Sequence, residues 1–159
     1  MPAADEVRID EALATLFRLA GDPRLHERRQ AETGVAISAT GHRLLDQLTE
    51  HGPGSVSQLA AGLQLTLPTA SRQLQQLERL GFVARGHDAA DGRIVTYTAT
   101  SAGRAAQRRF RTVIRREVRG ALAGWDATDR TQLAGLLERM VDDFRRPAHR
   151  PRAAPRMAG

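Results

Sequence analysis

Apolar residues recur along this chain at helical spacing, broken at a few clear points. Ile9, Leu13, Leu16, Phe17 and Ala20 fall at i, i+4, i+7, i+8 and i+11, one face of a helix. Gly21-Asp22-Pro23 should kink or end it, and helix can resume from Arg24 to Glu32 before a break at Thr33-Gly34. A further helix fits Ala39 to Glu50, turning Leu44, Leu45 and Leu48 inward, and His51-Gly52-Pro53-Gly54 stops it. Ser55 and Gln58 have the spacing of a capping box, so a short helix starts there and buries Val56, Leu59, Ala60 and Leu63. After the link Gln64-Leu65, Thr66 can cap another helix, with Pro68 tolerated in its first turn. That helix buries Leu67, Ala70, Leu74 and Leu77, and Gly81 ends it. Two short helices joined by so tight a turn form a helix-turn-helix.

From Phe82 the period changes. Phe82-Val83-Ala84-Arg85 reads as one strand and the β-branched, alternating Ile94 to Ala99 as its partner, with Asp91-Gly92 between them as a hairpin signal. A hairpin directly after a helix-turn-helix is a winged helix. Ser101 then opens a long helix expected to bury Phe110, Val113, Ile114, Val118, Leu122 and Trp125. Thr128 caps a last one, expected to bury Leu133, Leu136, Leu137, Met140, Val141 and Phe144 and to end at Pro147. The reading is a mainly α fold with a small β-hairpin: helices over 1–36, a winged helix-turn-helix lobe over 37–100, helices over 101–146, and an Arg/Pro/Ala tail over 147–159 expected to be disordered. The outer helices carry long apolar stripes far in sequence from the small central core. They are expected to pair with each other and with a second copy, as a dimerisation platform suited to a two-fold DNA site.

Charge narrows the partner. The net charge of +6 is unevenly placed: residues 70–119 hold eleven Arg against four acids, and the tail from Arg145 holds five Arg and no acid, while the remainder is acidic. A concentrated basic block points to a polyanion, most simply nucleic acid. Aromatic residues make up only 4% of the chain, too few for single-strand recognition by stacking, so duplex DNA fits best and RNA poorly. Every basic residue is Arg, which forks onto phosphate and guanine but is also what a GC-rich coding bias produces. The 159 residues contain no Cys, which excludes disulfides, Cys-based zinc sites and thiol chemistry. No apolar run approaches a membrane span, and Met-Pro-Ala-Ala-Asp-Glu lacks the features of a signal peptide, so a cytoplasmic protein is expected.

With Ala70, Leu74 and Leu77 turned inward, 100° per residue leaves Thr66, Pro68, Thr69, Ser71, Arg72, Gln75 and Gln76 on the outer side of their helix. Hydroxyls and a helix N-terminus suit phosphates, Arg suits guanine, and Gln suits adenine. A merely solvated face is the plainer alternative. At the hairpin tip, Asp91-Gly92-Arg93 sets a carboxylate near a guanidinium that can enter a minor groove, the Asp holding the Arg extended by a charge-assisted hydrogen bond. An idle exposed ion pair is the alternative there.

Ser57-Gln58-Leu59-Ala60, Thr69-Ala70-Ser71-Arg72-Gln73-Leu74, the run Leu77 to Arg85, Asp88-Ala89-Ala90-Asp91-Gly92-Arg93 and Thr100-Ser101-Ala102-Gly103 together resemble the MarR family of bacterial transcription regulators, over roughly residues 37–103. The resemblance implies a dimeric winged helix, usually a repressor, often released from DNA by a small anionic or aromatic compound. It also implies that Thr66 to Gln76 enter the major groove, that Asp91 and Arg93 form the wing pair with Arg93 in the minor groove, and that Arg85 supports the wing or touches phosphate. The chain departs from the family in having Ala99-Thr100 where Leu-Thr is usual, in the Gly21-Asp22-Pro23 interruption of the first helix, and in its Arg-rich tail.

Other chemistry is thin. His26 beside Glu27, and His42 one turn from Asp46, lack a close third metal ligand. His26, His42 and Arg43 could instead line a cavity where the resemblance places effectors, or simply be exposed. No nucleophile–base pair, phosphate loop or carboxylate pair emerges, so an enzyme is not expected and no cofactor is called for. The alternative to a DNA-binding regulator is a winged-helix interaction module whose basic block meets an acidic partner.

Overall fold

A computed structural model describes residues 4–146. In chain order these form α1 (Ala4–Ala20), α2 (Pro23–Thr33), α3 (Ala39–His51), β1 (Gly54–Ser55), α4 (Val56–Leu63), α5 (Leu67–Arg79), β2 (Val83–His87), β3 (Val95–Ala99), α6 (Ser101–Ala121) and α7 (Ala127–Arg145). The chain divides into two compact units, residues 1–116 and 117–159, with the boundary inside α6.

Local chemistry sets most of the element ends. Asp22 caps α2 by accepting from Arg24 N at 2.9 Å, with Pro23 in the first turn, so Gly21-Asp22-Pro23 separates α1 from α2. Gly34 closes α2 in the left-handed region at φ 66°. Ser55 and Gln58 form the reciprocal capping box of α4, and Gln64 takes φ 54° at its end, so that Leu65 N reaches Ala60 O at 2.8 Å and the chain turns sharply into α5.

The first unit is built on the winged lobe. Leu44, Leu45 and Leu48 of α3, Leu59 of α4, Leu74 and Leu77 of α5, Val83, Tyr97 and Ala99 of the strands and Ala106 of α6 form one core, closed from the N-terminal side by Val35 and Ile37. The sheet runs β1-β3-β2, all antiparallel, with Val83 opposite Ala99 and His87 opposite Val95. β1 adds a strand to the expected hairpin: Gly54 pairs with Tyr97, and Ser55, which also caps α4, pairs with Thr96. The hairpin arms are Val83–His87 and Val95–Ala99, so Phe82 and Ile94 lie outside the ladder and Gly86-His87 lie inside it.

Thr100 joins the wing to α6. Its hydroxyl donates to Gly81 O at 2.7 Å and accepts from Gly103 N at 3.0 Å, while its backbone N–H meets Phe82 O at 3.0 Å. This brings α6 so close that a Cβ on Gly103 would sit 2.0 Å from the Phe82 carbonyl oxygen.

Several expectations need correction. Leu67 is 55% exposed, because the first turn of α5 projects beyond the core that Ala70, Leu74 and Leu77 reach. α7 is capped by Asp126, which accepts from Asp129 N at 2.8 Å, and Thr128 lies inside the helix. None of the α7 apolar residues is buried: Leu136, Leu137, Val141 and Phe144 are exposed, and Leu133 and Met140 half-buried. Val118 and Trp125 are exposed and Ile114 and Leu122 only half-buried. α1 likewise buries no residue, with Phe17 69% exposed. Helical periodicity reports a face that prefers burial, and among the described residues neither unit covers its own. Pro147 and the Arg-rich tail lie outside the described residues.

Candidate nucleic-acid interface and adjoining cavity

Ala70, Leu74 and Leu77 are sealed in the core, so α5 presents its remaining face outward. Thr66, Pro68, Arg72 and Gln75 are exposed on it, and Thr69, Ser71 and Gln76 half-buried. Thr66 is the N-cap, its Oγ1 accepting from Thr69 N at 3.4 Å and lying 2.8 Å from Thr69 Oγ1. The N-terminal turn, in which Pro68 has no N–H and the Thr69 N–H is held by the cap, therefore presents two hydroxyls at the positive end of the helix dipole, an arrangement that attracts phosphate.

The wing is ordered by two carboxylates bonding backbone. Asp88 Oδ1 accepts from Ala90 N at 2.8 Å and Asp91 N at 3.1 Å, and Asp91 Oδ1 accepts from Arg93 N at 3.0 Å. Those amide bonds hold the Asp88 carboxyl below the ordinary carboxylate range. A chain reversal follows, with Ile94 N on Asp91 O and Asp88 N on Ile94 O, both at 2.9 Å. Asp91 thus grips the amide of Arg93 rather than its guanidinium, which corrects the expected side-chain pair: the Asp shapes the turn and the Arg stays exposed. Arg85 is exposed on β2 opposite Tyr97, whose ring is buried at the base of the wing.

His26, His42 and Arg43 do come together. They line a cavity of about 510 Å³ walled by the α1–α2 link, α2, α3 and α6, in company with Asp46, Gln107, Phe110 and Arg111. That size suits a small organic molecule. His42 stacks on Phe110, ring centroids 3.6 Å apart and planes 14° from parallel, and His26 meets both rings edge-on. His26 Nε2 lies 2.8 Å from Ile37 O. Arg43, exposed, donates to Leu63 O at 3.0 Å, at the end of α4. Arg111 donates to Asp46 Oδ1 from Nε at 3.0 Å and also bonds Glu50, tying α6 to α3, and those carboxylates hold its guanidinium firmly protonated.

Sequence reading missed Asp46, Gln107 and Arg111 as cavity residues. The signal was present at i, i+3, i+4 and i+7: Gln107, Phe110, Arg111 and Ile114 place an amide and a guanidinium on the inward stripe of α6. Among the described residues no group of three His, Asp or Glu could hold a metal ion, and no helix is long and apolar enough to cross a membrane.

Comparison with known proteins agrees with this geometry. The model of the MarR family matches residues 37–95. The chain is 29% identical over 136 residues to YxaD of Bacillus subtilis, described as an uncharacterized HTH-type transcriptional regulator, covering 86% of this chain and 92% of YxaD. Among solved structures it resembles a MarR family protein from Bacillus stearothermophilus, with TM-score 0.73, 20% identity and coverage of 89% and 99%. It also resembles FabT of Streptococcus pneumoniae, solved in complex with DNA, with TM-score 0.68, 22% identity and coverage of 87% and 96%. A helix-turn-helix, a two-stranded wing and flanking helices in this order give the chain the fold of these structures, and its winged lobe is similar to the MarR family over residues 37–95.

Proposed function

We propose that this protein is a homodimeric transcription regulator that binds duplex DNA at a sequence-specific, pseudo-palindromic site and works in the cytoplasm as a repressor released by a small molecule. The carrying observation is that α5 buries only its Ala70-Leu74-Leu77 face, leaving hydroxyls, an Arg and two amides outward in the same unit as a wing that ends in an exposed Arg93. In this reading Thr66, Pro68, Thr69, Ser71, Arg72, Gln75 and Gln76 meet phosphates and base edges in the major groove. Arg93 enters the neighbouring minor groove, where Asp91 fixes its backbone, and Arg85 meets phosphate. FabT, a relative of the same fold, was solved with DNA, which supports the assignment.

The uncovered apolar faces of α1 and of α7, each within its own unit, support dimerisation through residues 1–36 and 101–146, with 37–100 as the reading lobe. The cavity around His42 is the effector site in this scheme. Selection from random duplexes tests the function: a defined two-fold motif is the expected result. Salt-sensitive binding without sequence preference would instead favour an adaptor for acidic partners.

A further inference from the structure

The turn into α5 carries three leucines at alternate positions, Leu63, Leu65 and Leu67. Leu63 and Leu65 pack against the core of the lobe, while Leu67 is 55% exposed beside the exposed Pro68. Single leucines on a surface are ordinary. Leu67 is set apart by its place. It is the first residue of the helix whose outward face is proposed to meet DNA, and the Thr66 cap and Pro68 fix the backbone that carries it outward. At 100° per residue Leu67, Ser71, Gln75 and Arg79 form one i+4 row, so the leucine stands in line with Gln75 at the edge of that face.

The first turn has little else with which to read a base. Leu67-Pro68-Thr69-Ala70 holds no amide or guanidinium side chain, and Pro68 has no N–H. The Thr66 and Thr69 hydroxyls bond each other at 2.8 Å, and Thr66 Oγ1 also accepts from Thr69 N at 3.4 Å. Arg72, Gln75 and Gln76 come only after that turn. What this end of α5 offers a groove is therefore an apolar surface. In the major groove the base edges present one apolar group, the C5 methyl of thymine.

We infer that Leu67 is a specificity residue of the DNA site, packing on the C5 methyl of one thymine in each half-site and so selecting thymine where the start of α5 enters the major groove. The inference rests on the reading of α5 as the helix in that groove. Cytosine lacks the methyl, and a purine presents N7 there, a polar acceptor that the leucine cannot meet.

The test uses the full chain and the duplex motif that selection from random DNA returns. Each thymine of that motif is replaced in turn by deoxyuridine, in both half-sites together, which removes the methyl and keeps the base pairing. One symmetric pair of replacements is expected to lower the affinity of the native protein by about 4-fold per half-site, the worth of one buried methyl-sized group. Leu67→Ala should bind the thymine duplex with a loss at least as large and be indifferent to that same replacement. Its melting temperature should stay unchanged, because the side chain lies outside the core. A native protein indifferent to every deoxyuridine replacement overturns the inference and leaves the sequence-specific reading standing. A sensitive pair that stays equally sensitive in Leu67→Ala overturns it as well, since another side chain then meets the methyl. If selection returns no motif at all, the sequence-specific reading falls and the inference with it.

Discussion

Ser38 Oγ donates to Gln73 Oε1 at 2.5 Å while accepting from Gly41 N at 2.9 Å, so the cap of α3 also holds the middle of α5. The packing there is tight: a Cβ on Gly41 would lie 2.4 Å from Ile37 Cγ2 and 3.4 Å from Gln73 Oε1. α3 supplies Ala39, His42, Arg43 and Asp46 to the cavity wall, and α5 is the proposed reading helix. Ser38 is thus a short route between the two. Ser38→Ala should destabilise the protein by about 1–2 kcal/mol through the lost cap. It should also weaken DNA binding beyond what the loss of folded protein explains. Urea unfolding and a gel shift corrected for the folded fraction measure the two effects.

Arg93 is exposed and its guanidinium is free to leave the protein surface, so its removal should spare the fold. Arg93→Ala is expected to lower DNA affinity by roughly tenfold at fixed salt, within the 1–3 kcal/mol range of a specific contact. Dimerisation and melting temperature should stay unchanged. Undiminished affinity in a salt-controlled gel shift would take the wing out of the mechanism.

Asp88 shapes the wing by accepting two backbone amides, and those bonds lower its pKa. Its contribution is present above the ordinary aspartate value and is lost only as pH falls through the lowered folded value, so neutral-pH behaviour should not depend on it titrating. Asp88→Ala should speed amide exchange at Ala90 and Asp91 and weaken DNA binding without altering the core. Hydrogen exchange read by NMR tests this residue by residue.

His42 gives the opposite end of the pH scale. Its folded pKa is lowered, chiefly by burial, so between the ordinary value of about 6.5 and the folded value the unfolded chain takes a proton that the folded chain refuses. Stability should be flat above that window and fall as pH drops into it. In His42→Phe this slope should be reduced. Chemical denaturation at a series of pH values between 7.5 and 5 makes the comparison.

Phe17 on α1 and Phe144 on α7 are 69% and 75% exposed, and each stands on an apolar face that its own unit leaves open. Phe17→Asp and Phe144→Asp should each shift a dimer toward monomer in sedimentation while leaving the winged lobe folded. A wild-type protein that sediments as a monomer throughout would remove the two-fold DNA reading.

Much of the fold was legible because local chemistry carried it. The Ser55–Gln58 box, the Gly21-Asp22-Pro23 break and the Thr33-Gly34 stop act within a few residues, and each holds in the structure, where Asp22 also proves to cap the next helix. β1 was invisible, since two residues cannot show a period and the pairing that defines them comes from Thr96 and Tyr97, forty residues on. The Asp91–Arg93 relationship was half legible: the spacing marked the turn, but only the backbone path showed that the amide is the donor.

The amino-acid order by itself determined the helix-turn-helix, the wing and the outward polar face of α5, because capping and periodicity act between near neighbours. Tertiary structure alone decided that His42, Gln107, Asp46 and Phe110 share one cavity, and that His42 is left with a buried, unmet nitrogen. Those residues lie as much as 68 positions apart, and only the packing of α6 against α3 strips the water that would otherwise satisfy them.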